Sequence, residues 1–250
     1  MVGTVAQPAP ASPGLHRRAM RAGVLALQGG VSEHASMLEQ LGADVVLVRR
    51  EGDLLGPDGL RLDALILPGG ESSTHDRLLR ILELRDPLRA AIDAGLPTLG
   101  TCAGLILLSR EVLDPAPEQQ SLGLLDVAVR RNALGPQLAS REAEFSIEAT
   151  GADGSPITGD GAEGRVRGAL IRAPQIAEIG SAARAIVSHE GRVLGATSLM
   201  ADANARGADG DVSTGTGAPP LGRITGISFH PELSGDPALH RALLALAAAG

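Results

Sequence analysis

The chain alternates between short apolar runs and longer stretches in which apolar residues recur every three or four positions. Arg21 to Leu27 is the first such run, and it stops at Gln28-Gly29-Gly30, the pattern of a strand ending in a tight turn. Ser32 predicts the cap of a helix that runs through Leu41 and stops at Gly42. Asp44 to Val48 and Leu62 to Leu67 predict two more strands, the second closed by Pro68-Gly69-Gly70. A helix is expected from Ser72 or Ser73 to about Leu84. Asp86-Pro87 opens another, ending at Gly95. Thr98–Thr101 predicts a strand, and a helix follows Cys102. Strands that are apolar throughout, joined by amphipathic helices, predict an α/β fold. The expected form is three-layered: a mostly parallel, doubly wound sheet with helices on both faces.

After Pro115 the pattern changes. Leu122–Val129, Ala143–Ala149, Gly168–Ile171, Ala185–Ser188 and Val193–Ser198 read as strands joined by tight turns, with Glu190-Gly191 turning the last pair. They predict a smaller antiparallel section. Ile224–Phe229 returns to the main sheet, and Asp236-Pro237 opens a terminal helix from Ala238 to about Ala248. Residues 1–20 lack the apolar core of a secretory signal and read as a disordered extension. Residues 21–250 read as a single domain. Within it, 201–222 reads as a flexible insertion whose Gly, Asp, Ser and Thr content is highest over 207–217.

Composition narrows the chemistry. All basic residues are Arg, so enzymes that need a Lys, such as Schiff-base enzymes and P-loop NTPases, are excluded. Phe145 and Phe229 are the only aromatics among Phe, Trp and Tyr, so the core must be built from Leu, Val, Ile and Ala. A net charge of −7 without a basic run argues against nucleic acid. No apolar stretch has the length of a membrane span, and a cytoplasmic protein is expected. One cysteine forms no internal disulfide and no thiolate metal cluster. No cofactor or metal is called for.

That cysteine is Cys102, in Gly100-Thr101-Cys102-Ala103-Gly104. Glycine two residues before and two after a nucleophile marks a nucleophile elbow, where a strand turns sharply into a helix. The helix amino end and its free N–H groups favour a thiolate. Near the C-terminus, Phe229-His230-Pro231-Glu232 puts His and Glu two apart, on one side of an extended segment. They supply a base and the carboxylate that orients it. Each fragment alone has a plainer explanation, a small buried hydrophobe in one case and a chance triplet in the other. Together and in this order they point to a cysteine hydrolase. His75 is the one competing base, but it has no carboxylate two residues away. His34 and His240 read as solvated helix positions.

The elbow and the His-Pro-Glu motif resemble the triad (class I) glutamine amidotransferases. Narrower blocks are similar to the glutaminase subunits of pyridoxal 5′-phosphate synthases. They are Leu25-Ala-Leu-Gln28-Gly29, Leu67-Pro-Gly-Gly70-Glu71-Ser72-Ser73-Thr74, Gly100-Thr-Cys-Ala-Gly104, Arg131-Asn132, Ile171-Arg172-Ala-Pro174 and Ser228-Phe-His-Pro-Glu232. The resemblance covers about Gly23 to the C-terminus and breaks chiefly at 207–220. It implies hydrolysis of L-glutamine to glutamate and ammonia, with ammonia passed to a separate synthase subunit in a large hetero-oligomer. It implies Cys102, His230 and Glu232 as the triad. Gly70 and Ala103 become oxyanion donors, worth roughly 3–4 kcal/mol each in hydrolases. Gly70, Glu71, Ser72, Arg131, Ile171 and Arg172 become glutamine-binding residues, and Gln28 the residue that senses the synthase.

Alternatives stay open on sequence alone. Arg131 reads nearly as well as a solvated strand-end charge, and Gln28 as a simple turn residue. The chain could serve another acceptor, in histidine, aminobenzoate or carbamoyl phosphate synthesis, although Gly-Glu-Ser-Ser-Thr and Ile-Arg-Ala-Pro argue against that. A third reading is a non-glutaminase stress or chaperone protein with a cysteine elbow.

Overall fold

The computed structural model describes residues 18–133, 141–159, 163–199 and 218–250, so most of the 1–20 extension and of the 201–222 insertion lies outside the described residues. The first half contains β1 (Arg21–Leu25), α1 (Val31–Gln40), β2 (Asp44–Val48), α2 (Glu51–Leu54), β3 (Leu55–Gly56), β4 (Gly59–Leu60) and β5 (Ala64–Leu67). It continues through α3 (Ser72–Ile81), α4 (Arg85–Asp93), β6 (Thr98–Thr101), α5 (Ala103–Leu108) and β7 (Ser109–Val112). The second half contains β8 (Leu125–Arg130), β9 (Arg141–Ser146), β10 (Arg165–Leu170), β11 (Gln175–Ile179), β12 (Ala183–His189), β13 (Arg192–Ser198), β14 (Ile224–Ile227) and α6 (Ala238–Ala249).

A ten-stranded sheet runs in the order β2-β1-β5-β6-β14-β13-β11-β8-β7, with β12 paired to β13, while β9 with β10 and β3 with β4 form two small separate sheets. The first five strands are parallel. From β14 onward the pairing turns antiparallel, until β7 and β8 pair parallel at the far edge. Alternation of side chains explains why the parallel strands are apolar throughout. On β5, Ala64 and Ile66 enter one core with Leu38 of α1 and Leu239 of α6. Leu65 and Leu67 enter a second core with Leu79 of α3, Leu88 of α4 and Leu105 of α5. Both faces are thereby covered by helices. The stacked pair Phe145 and Phe229, with centroids 4.4 Å apart, anchors the β9–β10 hairpin to the first core.

Several local expectations are corrected. Helix α1 starts at Val31 with Gly30 at its cap, not at Ser32, whose hydroxyl instead donates to Glu33. The short elements α2, β3, β4, β7 and β11 lack a periodic signature. The largest correction concerns His34 and His240, which are both fully buried rather than solvated. His34 shares its helix face with Met37 and Leu38, three and four residues on, and that face packs into the first core.

Candidate active site

The parallel strands end along one edge, and the reactive groups gather there, as open α/β sheets place their ligands. Strand β6 leads into Cys102, and α5 begins at the next residue. Cys102 takes φ 49° and ψ −101°, a conformation few side-chain-bearing residues adopt. The glycines around it are required by contact. A Cβ on Gly100 would lie 2.6 Å from the Gly104 carbonyl carbon, and one on Gly104 would lie 2.0 Å from the Leu67 carbonyl oxygen. The Cys102 amide donates to the Ile227 carbonyl at 2.8 Å, tying the elbow to β14.

Beyond β14 the chain delivers His230, whose backbone exchanges hydrogen bonds of 2.9 and 3.1 Å with Ala169. His230 Nδ1 lies 2.7 Å from Glu232 Oε1. The Cys102 thiol lines the same cleft as His230 and interacts with it electrostatically. Burial alone would depress the His230 pKa. The hydrogen bonds and negative charge of Cys102 and Glu232 outweigh it and raise the pKa to about 10. The geometry therefore brings a thiol, an imidazole and a carboxylate together in one place, the groups that nucleophilic catalysis by a cysteine requires.

These three residues line a cleft of about 520 Å³ together with Gly70, Glu71, Ser72, Arg131, Ile171 and Arg172. Ala103 is buried at the first position of α5 and does not line it. His75 does not line it either. It is buried, and its Nδ1 lies 2.9 Å from Gln28 Nε2.

The rim is a network of polar side chains. Glu71 caps α3, accepting from the Ser73 and Thr74 amides at 3.2 and 2.7 Å. Partial burial works against its ionisation, yet the Ser73 and Thr74 hydrogen bonds prevail and hold the pKa at about 2. Gln28 grips the backbone of the same residue, donating to the Glu71 carbonyl at 2.9 Å and accepting from its amide at 3.3 Å. The Gly69–Gly70 turn lies between Gln28 and His230. A Cβ on Gly69 would come within 2.2 Å of the imidazole, and one on Gly70 within 2.5 Å of the Gln28 amide.

Gln119, which sequence reasoning missed, completes the rim. It accepts from Arg131 at 2.6 Å and donates to Ser72 Oγ at 3.0 Å. Arg131 is thus held against the cleft wall instead of standing free in solvent. A Gln in a loop carries no sequence signal for this contact. Arg172 presents its side chain from a left-handed backbone, φ 45°.

The family model for SNO glutamine amidotransferases matches residues 24–244. The chain belongs to the SNO glutamine amidotransferase family. It is 45% identical over 219 residues to the pyridoxal 5′-phosphate synthase subunit PdxT of Kineococcus radiotolerans, covering 88% of this chain and 90% of that protein. It is 41% identical over 237 residues to the PdxT of Clavibacter sepedonicus, covering 94% and 95%. A crystal structure of a glutamine amidotransferase superposes with a TM-score of 0.69 at 34% identity, over 91% of this chain and 98% of that one. The family match thus spans residues 24–244.

Proposed function

We propose that this family member is the glutaminase subunit of a pyridoxal 5′-phosphate synthase, releasing ammonia from L-glutamine for a separate synthase subunit. The observation that carries the reading is the convergence of Cys102 with the hydrogen-bonded pair His230 and Glu232 in one glycine-walled cleft. Its supports are family membership and relatives that are subunits of that synthase.

In this account the Cys102 sulfur, its proton held by His230, attacks the side-chain amide carbon of glutamine. The oxyanion is met by the N–H groups of Gly70 and Ala103. His230 returns the proton to the nitrogen, the C–N bond breaks, and ammonia leaves behind a glutamyl thioester. His230 then takes a proton from water, hydroxide adds to the thioester, and glutamate departs as the thiol is restored. Glu232 keeps the imidazole in the required tautomer throughout. Arg131 or Arg172 pairs with the α-carboxylate through a two-pronged contact. Glu71, Ser72 and Ile171 shape the rest of the glutamine pocket. Gln28 couples the oxyanion turn to docking of the synthase in a large hetero-oligomer, so that hydrolysis proceeds only when ammonia has an acceptor. A nucleophilic thiol must stay reduced, which fits a cytoplasmic place of action.

The test mixes the protein with a purified synthase subunit and its pentose and triose phosphates. Pyridoxal phosphate should form with glutamine as the sole nitrogen source. Formation with ammonium salts but never with glutamine would refute the proposal.

A further inference from the structure

Behind the cleft, buried polar groups converge on Glu232 from elements that take no part in the mechanism above. His34 on α1 and His240 on α6 are both fully buried, and His34 Nδ1 lies 2.8 Å from His240 Nε2. The other nitrogen of His34 lies 3.1 Å from Thr101 Oγ1, on the residue before Cys102, and 3.4 Å from Glu232 Oε1. That oxygen is the one His230 engages.

We propose that His34 is a positioning residue for the chemistry at Cys102: its Nε2–H holds the Glu232 carboxylate, and His240 fixes the tautomer that makes this donation possible. The turnover part of the proposal rests on the glutaminase reading, whereas the thiol-labelling part does not.

The hydrogen bond His34 Nε2 makes is to Thr101 Oγ1, with Glu232 Oε1 3.4 Å away. An ionised carboxylate only accepts, so with neutral rings the proposal puts the proton on this nitrogen, where it faces Glu232 and the Thr101 oxygen together. The opposite tautomer would aim a lone pair at the carboxylate. His34 Nδ1 is then an acceptor, and His240 must donate to it from Nε2. His240 Nδ1 is left as a buried acceptor without a protein partner. Burial first, then the neighbouring His240 and His230, hold the His34 pKa well below 6.5. Burial holds that of His240 at about 4. Both rings are therefore neutral dipoles that steady Glu232 without neutralising it, and its charge remains available to His230. Glu33 on α1 also lines the cleft, beside Cys102 and His230. The start of α1 passes close to the carboxylate: a Cβ on Gly30 would lie 3.4 Å from Glu232 Oε1.

The variants are His34→Leu, which removes the donor, and His34→Gln, whose amide nitrogen can stand where Nε2 does. His240→Leu and His240→Gln form a second pair that leaves His34 in place. Each is assayed in the complex with the synthase subunit for ammonia release, and alone for alkylation of Cys102 by iodoacetamide across pH. As Cys102 is the only thiol, the adduct is unambiguous. His34→Leu should lower kcat about tenfold, the scale of one hydrogen bond to a charged group, with KM for glutamine within about twofold. Its alkylation profile should move to higher pH, because a loosened Glu232 stabilises the thiolate–imidazolium pair less. His34→Gln should recover most of the turnover and the original profile. His240→Leu should follow His34→Leu more weakly, and His240→Gln should rescue it.

A folded His34→Leu with wild-type kcat and profile would overturn the proposal, as would a His34→Gln as impaired as His34→Leu. If His34→Leu does not fold, the His240 pair decides by the same criteria. A wild-type complex that releases no ammonia defeats the glutaminase reading, and the alkylation profiles then decide the His34 proposal alone.

Discussion

The floor and the rim of the cleft are built differently. The floor consists of Cys102, His230 and Glu232, each less than a tenth exposed; backbone hydrogen bonds hold Cys102 and His230, and Glu232 is tied to His230. The rim, formed by Glu71, Arg131, Ile171 and Arg172, is more open, and Glu71 and Arg131 already have protein partners there. Buried groups cannot relax when a neighbour is removed, whereas rim groups can exchange protein partners for ligand or water. Chemistry on the floor and recognition on the rim should therefore respond to substitution in different kinetic parameters.

The largest expected effect is on the floor. Cys102→Ala and His230→Asn should each lower kcat for glutamine hydrolysis in the synthase complex by about 10⁴-fold or more, measured as ammonia release. Glu232→Gln should cost roughly a hundredfold less, since an orienting carboxylate contributes less than the groups it orients. Equal losses for His230→Asn and Glu232→Gln would make the pair a single unit and blur the distinction.

A smaller effect is expected at the rim. Arg131→Ala should raise KM for glutamine about tenfold and change kcat by less than about threefold, because the contact it offers is shared by ground and transition states. Steady-state kinetics at saturating synthase decide the matter. A fall in kcat with unchanged KM would assign Arg131 to the floor.

The smallest effect is on stability with pH. His34, His75 and His240 are kept neutral by burial, the last two with pKa about 4. The unfolded chain binds these protons near pH 6.5. The stability at stake is thus full above pH 6.5 and is lost as pH falls toward 4. His230 runs the other way, adding stability below pH 6.5 that disappears as pH rises through about 10. Three groups against one should lower Tm by about 5 °C between pH 7 and pH 5, read by calorimetry. An unchanged Tm would contradict the burial of these imidazoles.

Sequence conveyed the floor better than what lies around it. The elbow and His-Pro-Glu are contiguous motifs whose spacing alone dictates their geometry, and the parallel strands declare themselves as unbroken apolar runs. Gln119 meets Arg131 and Ser72 from a loop with no periodicity, so nothing local announces it. His34 and His240 failed for another reason. Their polarity suggested solvent, yet His34 sits at the spacing of Met37 and Leu38 on the apolar face of α1. Periodicity was the better guide there than residue type. Strands β7 and β11 were lost because short segments flanked by loops show too few alternations to register.

The central claim is that Cys102, primed by His230, is the glutamine-attacking nucleophile. A glutamine-analogue diazo ketone tests it most directly, followed by intact mass and peptide mapping of the complex with the synthase subunit. The account predicts one adduct, on Cys102, slowed by excess glutamine and lost in His230→Asn. An adduct on any other residue, or labelling of Cys102 that glutamine does not slow and His230→Asn does not diminish, would contradict it.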